Sequence, residues 1–327
     1  MKILRIGDPH VRPSNIQESE LLMEFVLNKA LEYKVDRLEI LGDLFDTMDV
    51  VRLKVLEFWD RWFDILPDFD FETVILIGNH DLSGDYLNSY SVLHPFVKPA
   101  RKNFKIITSG CQLGIYGYLP YIHDNTKFVE NANWLADHGA KVLISHTTYQ
   151  GSKFDNGMFA PDGVNTDLLD PRLIHLISGH IHSEQEFGRV WYPGTARWLS
   201  KSCANRLKGI WLVEHDDNTG VILSKEFIST ESVCIPIVSL VWKEGEGRPE
   251  IPTGAKVDIE LHGSSDWVTK QKVELVGRVS ISSKLTDTKK KVRKSGKSLY
   301  EFLSHHYQAE PEKRTKLLKY MGDLNLV

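Results

Sequence analysis

Three short apolar runs in the N-terminal part of the chain each break off in a glycine followed at once by polar residues. They are KILRIGD at 2–8, DRLEILGD at 36–43 and TVILIGNHD at 73–81. Between them lie SELLMEFVLNKALEYK and RLKVLEFWDRWF, whose leucines and aromatics recur at helical spacing. This order predicts a βαβαβ opening with parallel strands buried on both faces. AKVLISH at 140–146 and RLIHLISGHIH at 172–182 continue the theme. GIWLVEHD and GVILSKEFI, joined by Asp-Asn-Thr-Gly, predict an antiparallel hairpin instead.

The carboxyl ends of strands in an open parallel sheet line one crevice, and ligands bind there. The first such end supplies Asp8 and His10, the second Asp43, the third Asn79, His80 and Asp81, the fourth His146, and the fifth His180 and His182. Each has an ordinary explanation when taken singly. An aspartate caps the next helix, an asparagine holds a turn, and Gly-His-Ile-His can be a polar turn. Nitrogen and oxygen donors at five successive strand ends are not what those explanations produce together. Residues i and i+2 of an extended chain share a side, so His180 and His182 can face one point, as metal ligands must.

Two divalent cations about 3.5–4 Å apart, bridged by one carboxylate, are a known device for displacement at phosphorus. Asp43 is the expected bridge, because its strand lies between the first and the third. One ion is then expected on Asp8, His10, Asp43 and His182, the other on Asp43, Asn79, His146 and His180. Carboxylate, amide and imidazole ligands without thiolate favour Mn²⁺, Fe²⁺ or Zn²⁺ over Ca²⁺. Mn²⁺ is the expected pair of ions, with Mg²⁺ as the alternative.

DPH, GDLFD, GNHD, a lone strand-end histidine and GHIH, in that order over about residues 1 to 230, resemble the five signature motifs of the calcineurin-like metallophosphoesterases. The resemblance implies an α/β fold, a β-sandwich flanked by helices, and the ligand pattern just given. It also implies that His80 is no ligand but faces the phosphate, stabilising developing charge and helping to protonate the leaving oxygen. The second motif lacks the arginine of the phosphoprotein phosphatases, GDxVDRG, and the third is GNHD rather than GNHE. LPY at 119–121 and YPGTARWLSKS at 192–202 resemble the SbcD-type nuclease branch, and GNHDL with the modest length resembles the small subunits of phage recombination nucleases. Archaeal and eukaryotic relatives carry a further histidine where Asp46 stands, which leaves open what assists His80.

That branch implies hydrolysis of DNA phosphodiesters by metal-bridged hydroxide, with exonuclease and some endonuclease action. It also implies a homodimer paired with SbcC-type coiled-coil ATPase subunits, with the region around Val50 to Leu66 as the candidate dimer contact. Four parts are expected: a nuclease domain at 1–232, a small α+β capping domain at 233–285, a basic linker at 286–297 and a helix pair at 298–327. Leu299, Phe302, Leu303, Leu317, Leu318 and Met321 form the apolar stripe of that pair, suited to a coiled-coil partner. Arg12, Arg52, Lys54, Lys153, Arg197 and Lys201 are the candidate contacts to the DNA backbone. Two other readings compete: a phosphodiesterase of the same fold acting on small diesters such as cyclic nucleotides, and a non-catalytic scaffold.

The net charge of −4 argues against holding nucleic acid by bulk electrostatics, so a phosphate-binding surface must be local or completed by metal or partner. No stretch approaches the ~18 consecutive apolar residues of a membrane span. MKILRIGDPH reads as a first strand rather than a signal peptide. Three widely spaced cysteines, Cys111, Cys203 and Cys234, predict inert buried thiols. The expected compartment is the cytoplasm, that of a bacterial host if the chain is phage-encoded.

Overall fold

The computed structural model describes residues 1–83, 90–97, 103–275 and 279–286. The chain begins β1 (Lys2–Ile6), α1 (Ile16–Tyr33), β2 (Arg37–Ile40), α2 (Leu53–Ile65), β3 (Glu72–Leu76) and β4 (Phe104–Ile107). It continues β5 (Cys111–Leu113), β6 (Tyr116–Leu119), α3 (Asn125–Asp137), β7 (Val142–His146), β8 (His175–Gly179), β9 (Gln185–Phe187) and β10 (Val190–Tyr192). The hairpin β11 (Gly209–His215) and β12 (Ile222–Ser229) follows, then β13 (Ile237–Lys243), β14 (Lys256–Gly263), α4 (Ser265–Leu275) and β15 (Ser280–Leu285).

Two six-stranded sheets result. The first has the order β12-β11-β1-β2-β3-β4, the second β5-β6-β7-β8-β10-β9. Strands β1 to β4 are mutually parallel, and β11 joins β1 antiparallel with β12 beyond it. In the second sheet β6, β7, β8 and β10 are parallel. The five strand ends singled out in the sequence therefore belong to two sheets, three in one and two in the other.

Period-2 alternation divides each strand between two apolar layers. Ile3, Leu41, Val74 and Leu76 face an inner layer shared with Tyr116, Tyr118, Val142, Ile144 and Ile177 of the second sheet. Leu4, Ile6, Leu38, Ile40 and Ile75 turn to the opposite side, against α1 and α2. The buried residues of α1 (Leu22, Met23, Val26, Ala30) and α2 (Val55, Phe58, Trp59, Trp62, Phe63) recur every three or four positions, as one buried helical face requires. Helix α3, capped by Asp124 accepting from the Thr126 and Lys127 amides, covers the outer face of the second sheet with Phe128, Ala132 and Leu135.

The inner layer also holds charge. Arg5 donates to Glu39 at 2.6 Å, Arg37 donates to Tyr118 at 2.7 Å and to Glu72 at 2.7 Å, and the Tyr118 hydroxyl closes the chain on Glu39. Such a network tolerates burial because each member is paired; removing one partner of a buried pair costs about 3–5 kcal/mol.

Contacts divide the chain into two compact units, Met1–Ser239 with Glu250–Asp258, and Leu240–Pro249 with the described residues from Ile259 onward. Strands β13, β14 and β15 form a three-stranded sheet, accompanied in sequence by α4. The expected linker from 287 on and the expected helix pair at 298–327, including Leu299, Phe302, Leu303, Leu317, Leu318 and Met321, lie outside the described residues. Among the described residues, no helix is long and apolar enough to cross a membrane.

Candidate metal centre

Three of the five strand ends, those of β1, β2 and β8, deliver their ligand-type residues through a backbone that most residues avoid. Asp8, His10, Asp43 and His180 all have positive φ, at 34°, 42°, 51° and 79°. Non-glycine residues rarely hold that region unless the surroundings enforce it, and such strain gathers at functional sites. The glycines of the motifs have a packing cause. A Cβ on Gly179 would lie 2.7 Å from Asp8 Oδ1 and 2.8 Å from His146 Nδ1, and one on Gly78 would run into the Asp43 carboxylate. The Gly-Asp and Gly-Asn-His-Asp patterns thus record how closely neighbouring strand ends converge.

The convergence joins both sheets. His180 donates its amide to Asp8 Oδ2 at 2.9 Å, tying the end of β8 to the end of β1. Asp8, His10 and His182 bring one ligand atom each within 4.8 Å of one another, as do Asp43, His146 and His180. His10 Nε2 stands 3.2 Å from His182 Nε2 and 3.6 Å from Asp43 Oδ2. On the other side, His146 Nε2 is 3.3 Å from Asp43 Oδ2 and 3.1 Å from Asn79 Oδ1, and His180 Nδ1 is 2.8 Å from the same amide oxygen. All seven sequence-predicted ligand candidates come together, with Asp43 between the two halves.

His80 sits beside them, its ring 4.8 Å from that of His10, and its amide donates to Asp43 Oδ1 at 2.8 Å. Its Nδ1 donates to the Asp46 carbonyl at 2.8 Å, leaving Nε2 as the nitrogen available to a substrate. His80 also shares a cation-sized group with His10 and Asp43. Asp81, polar in the same motif, is instead a local brace: its carboxylate accepts the Gly78 amide at 2.9 Å and the Phe45 amide at 3.1 Å.

The electrostatics suit cations. Asp8 and Asp43 are both buried, and burial, opposed by His146 and reinforced by the nearby Asp43 charge, pushes Asp8 up to about 7. Burial would raise Asp43 as well, but the facing His146 and the neighbouring His10 hold it far below the usual carboxylate range. Burial keeps His10 and His180 down at about 3, so both rings are neutral and have a lone pair to give. His146 is pushed down by burial and up by Asp43, ending at about 9, so its ring keeps a proton facing Asp43 that a bound cation would displace. Asp8 Oδ1 is buried without a hydrogen-bond partner. Two buried carboxylates, an unpaired carboxylate oxygen and converging imidazole nitrogens fit divalent metal, and Asp8, His10, Asp43 and His182 on one side with Asp43, Asn79, His146 and His180 on the other are the residues that could hold it.

An open cleft of about 360 Å³ exposes this ground, lined by Asp43, His80, His180 and His182 together with Phe154, Asp155 and Asn156. The residues at 154–156 carry no signal in the sequence. They sit in an irregular stretch between β7 and β8 with no periodicity to read. Asp155 is held below its usual range: burial would raise it, but hydrogen bonds from Ser183 and Cys203 outweigh that. Tyr121 of the LPY segment lies with its ring 6.0 Å from His180.

The candidate DNA contacts divide. Arg197 is only 1% exposed, donating to Ser19 Oγ at 2.7 Å and pairing with Glu18 at 2.6 Å, so it braces α1 and is not a surface contact. Arg12 donates to the Leu199 carbonyl at 3.3 Å and lies 3.7 Å from Asp46, and with Arg52 it lines a hollow between the segments that follow β1 and β2. Lys54 is exposed, Lys153 lies over the Phe159 ring at 4.8 Å, and Lys201 pairs with Asp258. All three cysteines are free, but Cys111 is partly exposed rather than buried.

The profile of the calcineurin-like phosphoesterase family matches residues 1–184. Among curated proteins, the chain is 29% identical over 209 residues to 244L of Invertebrate iridescent virus 6, a phosphoesterase by name, covering 59% of this chain and 69% of that one. It is 25% identical over 237 residues to Exonuclease subunit 1 of Enterobacteria phage T4, covering 65% of each chain. Protein 078R of Invertebrate iridescent virus 3, also a phosphoesterase by name, is 25% identical over 209 residues, 60% of this chain and 57% of its own. The chain thus spans less than two thirds of the length of two of these three relatives.

Proposed function

The chain belongs to the calcineurin-like phosphoesterase family, a family of phosphoester hydrolases, and on that premise we propose that it is a two-metal DNA nuclease of the SbcD type. The observation that carries the reading is the pairing of two ligand groups, Asp8/His10/His182 and Asp43/His146/His180, beside one open cleft with His80 at its edge. The similarity to a phage protein named Exonuclease subunit 1 supports DNA as the substrate and a multi-subunit setting.

Bound divalent ions, Mn²⁺ by our reading, supply Lewis acidity toward the phosphate and an activated water. The chain does the rest. Asp43 spans both halves of the centre and also accepts the His80 amide, so one carboxylate fixes the ligand set and the ring beside it. With Nδ1 committed to the Asp46 carbonyl, protonation of His80 places the transferable proton on Nε2, where a leaving oxygen can take it. Arg12, Arg52, Lys54, Lys153 and Lys201 would steady the DNA backbone. Residues 233–285 would cap the substrate, and residues 298–327, joined by the 286–297 linker, would grip an SbcC-type coiled coil. A homodimer formed near Val50 to Leu66 and acting in the host cytoplasm completes the proposal.

The test is Mn²⁺-dependent cleavage of end-labelled linear double-stranded DNA, with and without a co-expressed SbcC-type ATPase, beside His80→Ala and Asp43→Ala. Cleavage stimulated by the partner and abolished in both variants is the expected result. Turnover of bis-p-nitrophenyl phosphate with DNA untouched in every condition would move the assignment to a small-diester phosphodiesterase.

A further inference from the structure

His182 differs from the other site imidazoles in what stands behind it. The rear nitrogens of His146 and His80 meet main-chain carbonyls, those of Leu41 at 2.7 Å and Asp46 at 2.8 Å. Behind His182 stands a carboxylate: Nδ1 lies 3.8 Å from Asp155 Oδ2, while Nε2 faces His10 at 3.2 Å and Asp8 at 3.9 Å. The ring is therefore held between the ligand group in front and Asp155 behind.

Asp155 is itself held in place. Ser183, the residue after His182, donates to Oδ1, and Oδ2 accepts Ser202 Oγ at 3.3 Å and Cys203 Sγ at 3.2 Å. Arg206 binds the Asp155 carbonyl at 2.8 Å and the Ser183 hydroxyl at 2.7 Å, fixing the irregular stretch against the GHIHS turn. An ionised carboxylate offers about four acceptor positions. Three of them are taken by Ser183, Ser202 and Cys203, each donating to the carboxylate, which still faces Nδ1. At 3.8 Å the attraction is electrostatic and not a formed hydrogen bond.

We infer that Asp155 is a positioning residue for His182: its carboxylate selects the Nδ1–H tautomer and turns the Nε2 lone pair toward the cation bound with Asp8 and His10. The inference rests on the metal-centre reading above. A ligating histidine commonly gives its second N–H to a carboxylate, which fixes the ring and raises its basicity, and loss of that partner typically weakens metal affinity about 10- to 100-fold. His10, whose Nδ1 is buried with no hydrogen-bond partner, has no such support, so of the two imidazoles in this half only His182 is backed by a carboxylate.

The test titrates the full chain with Mn²⁺ and reads free ion by electron paramagnetic resonance, with Asp155→Asn and Asp155→Glu beside wild type. Asp155→Asn should weaken one of two binding steps about 10- to 100-fold and leave the other step and the melting temperature of the metal-free protein unchanged. Asp155→Glu should recover most of the loss. An Asp155→Asn titration matching wild type, or equal weakening of both steps with a lower melting temperature, overturns the inference while the metal centre stands. Wild type that takes up no Mn²⁺ overturns the metal centre and this inference together. A readout in the unaltered protein covers the case in which the variants do not fold: ¹⁵N-histidine spectra of the Zn²⁺-loaded chain should show His182 protonated on Nδ1, and a proton on Nε2 overturns the assignment.

Discussion

His80 donates its Nδ1–H to the main-chain carbonyl of Asp46 at 2.8 Å, and the Asp46 carboxylate turns away toward Arg12 at 3.7 Å. Whatever Asp46 does for His80 it does through backbone. Asp46→Ala should therefore leave hydrolysis within a few-fold of wild type, since a partly exposed pair at 3.7 Å such as Arg12–Asp46 is worth about 0–1 kcal/mol. His80→Ala should lower kcat about 10²- to 10⁴-fold, the usual scale of a positioned acid or base. Steady-state rates on a phosphodiester substrate check this, and equal losses in the two variants would contradict it.

Gly179 has no room for a methyl group, with Asp8 Oδ1 and His146 Nδ1 at 2.7 and 2.8 Å from where it would stand. Gly179→Ala must push strand ends of the two sheets apart. A loss of about 1–3 kcal/mol in denaturant unfolding is expected, the usual cost of overpacking, together with weaker Mn²⁺ binding. Unchanged stability and metal uptake would mean the strand ends are not held as closely as described.

Arg197 and Arg52 should part company when each is changed to alanine. Removing Arg197 strands Glu18 beneath α1, a loss of about 3–5 kcal/mol in stability. Removing the exposed Arg52 should leave stability within about 0.5 kcal/mol and flatten the salt dependence of DNA binding by about one counterion. Unfolding curves and binding isotherms at several salt concentrations separate the two, and the reverse pattern would contradict both assignments.

These residues also mark what sequence can and cannot tell. The strand-end motifs were legible because each is local: a β-favouring run, a glycine and a donor lie within a few positions. The hairpin β11–β12 was legible from its turn. The burial of Arg197 was not, because an arginine in GTARW reads as surface charge and its hydrogen-bond partner Ser19 is 178 residues away. Strands β5, β9 and β10 have three residues each, too short for alternation to register, so the division into two sheets was hidden in the residues themselves. Asp155 was invisible for the same reason as Arg197, since its partners Ser183 and Cys203 lie 28 and 48 residues on.

His215 gives the molecule a predictable acid sensitivity away from the cleft. Arg5 donates to its Nε2 at 3.0 Å and its own Nδ1 donates to the Gly220 carbonyl at 3.1 Å, so the ring is used as the neutral tautomer. Burial and then the Arg5 charge lower it to about 3 from 6.5. The unfolded chain thus binds this proton more readily. The contribution is fully present above about pH 6.5 and is lost as pH falls toward 3, with a slope of up to about 1.4 kcal/mol per pH unit. His215→Gln should show a shallower decline in stability between pH 6.5 and 4.5 than wild type. Parallel profiles would refute the linkage.

Whether two cations share Asp43 can be seen by anomalous diffraction from Mn²⁺-soaked crystals. Two peaks about 3.5–4 Å apart are expected, one on Asp8, His10 and His182, the other on Asn79, His146 and His180, with Asp43 on both. A single peak, or a pair of peaks that leaves Asp43 on neither or only one, would contradict that arrangement.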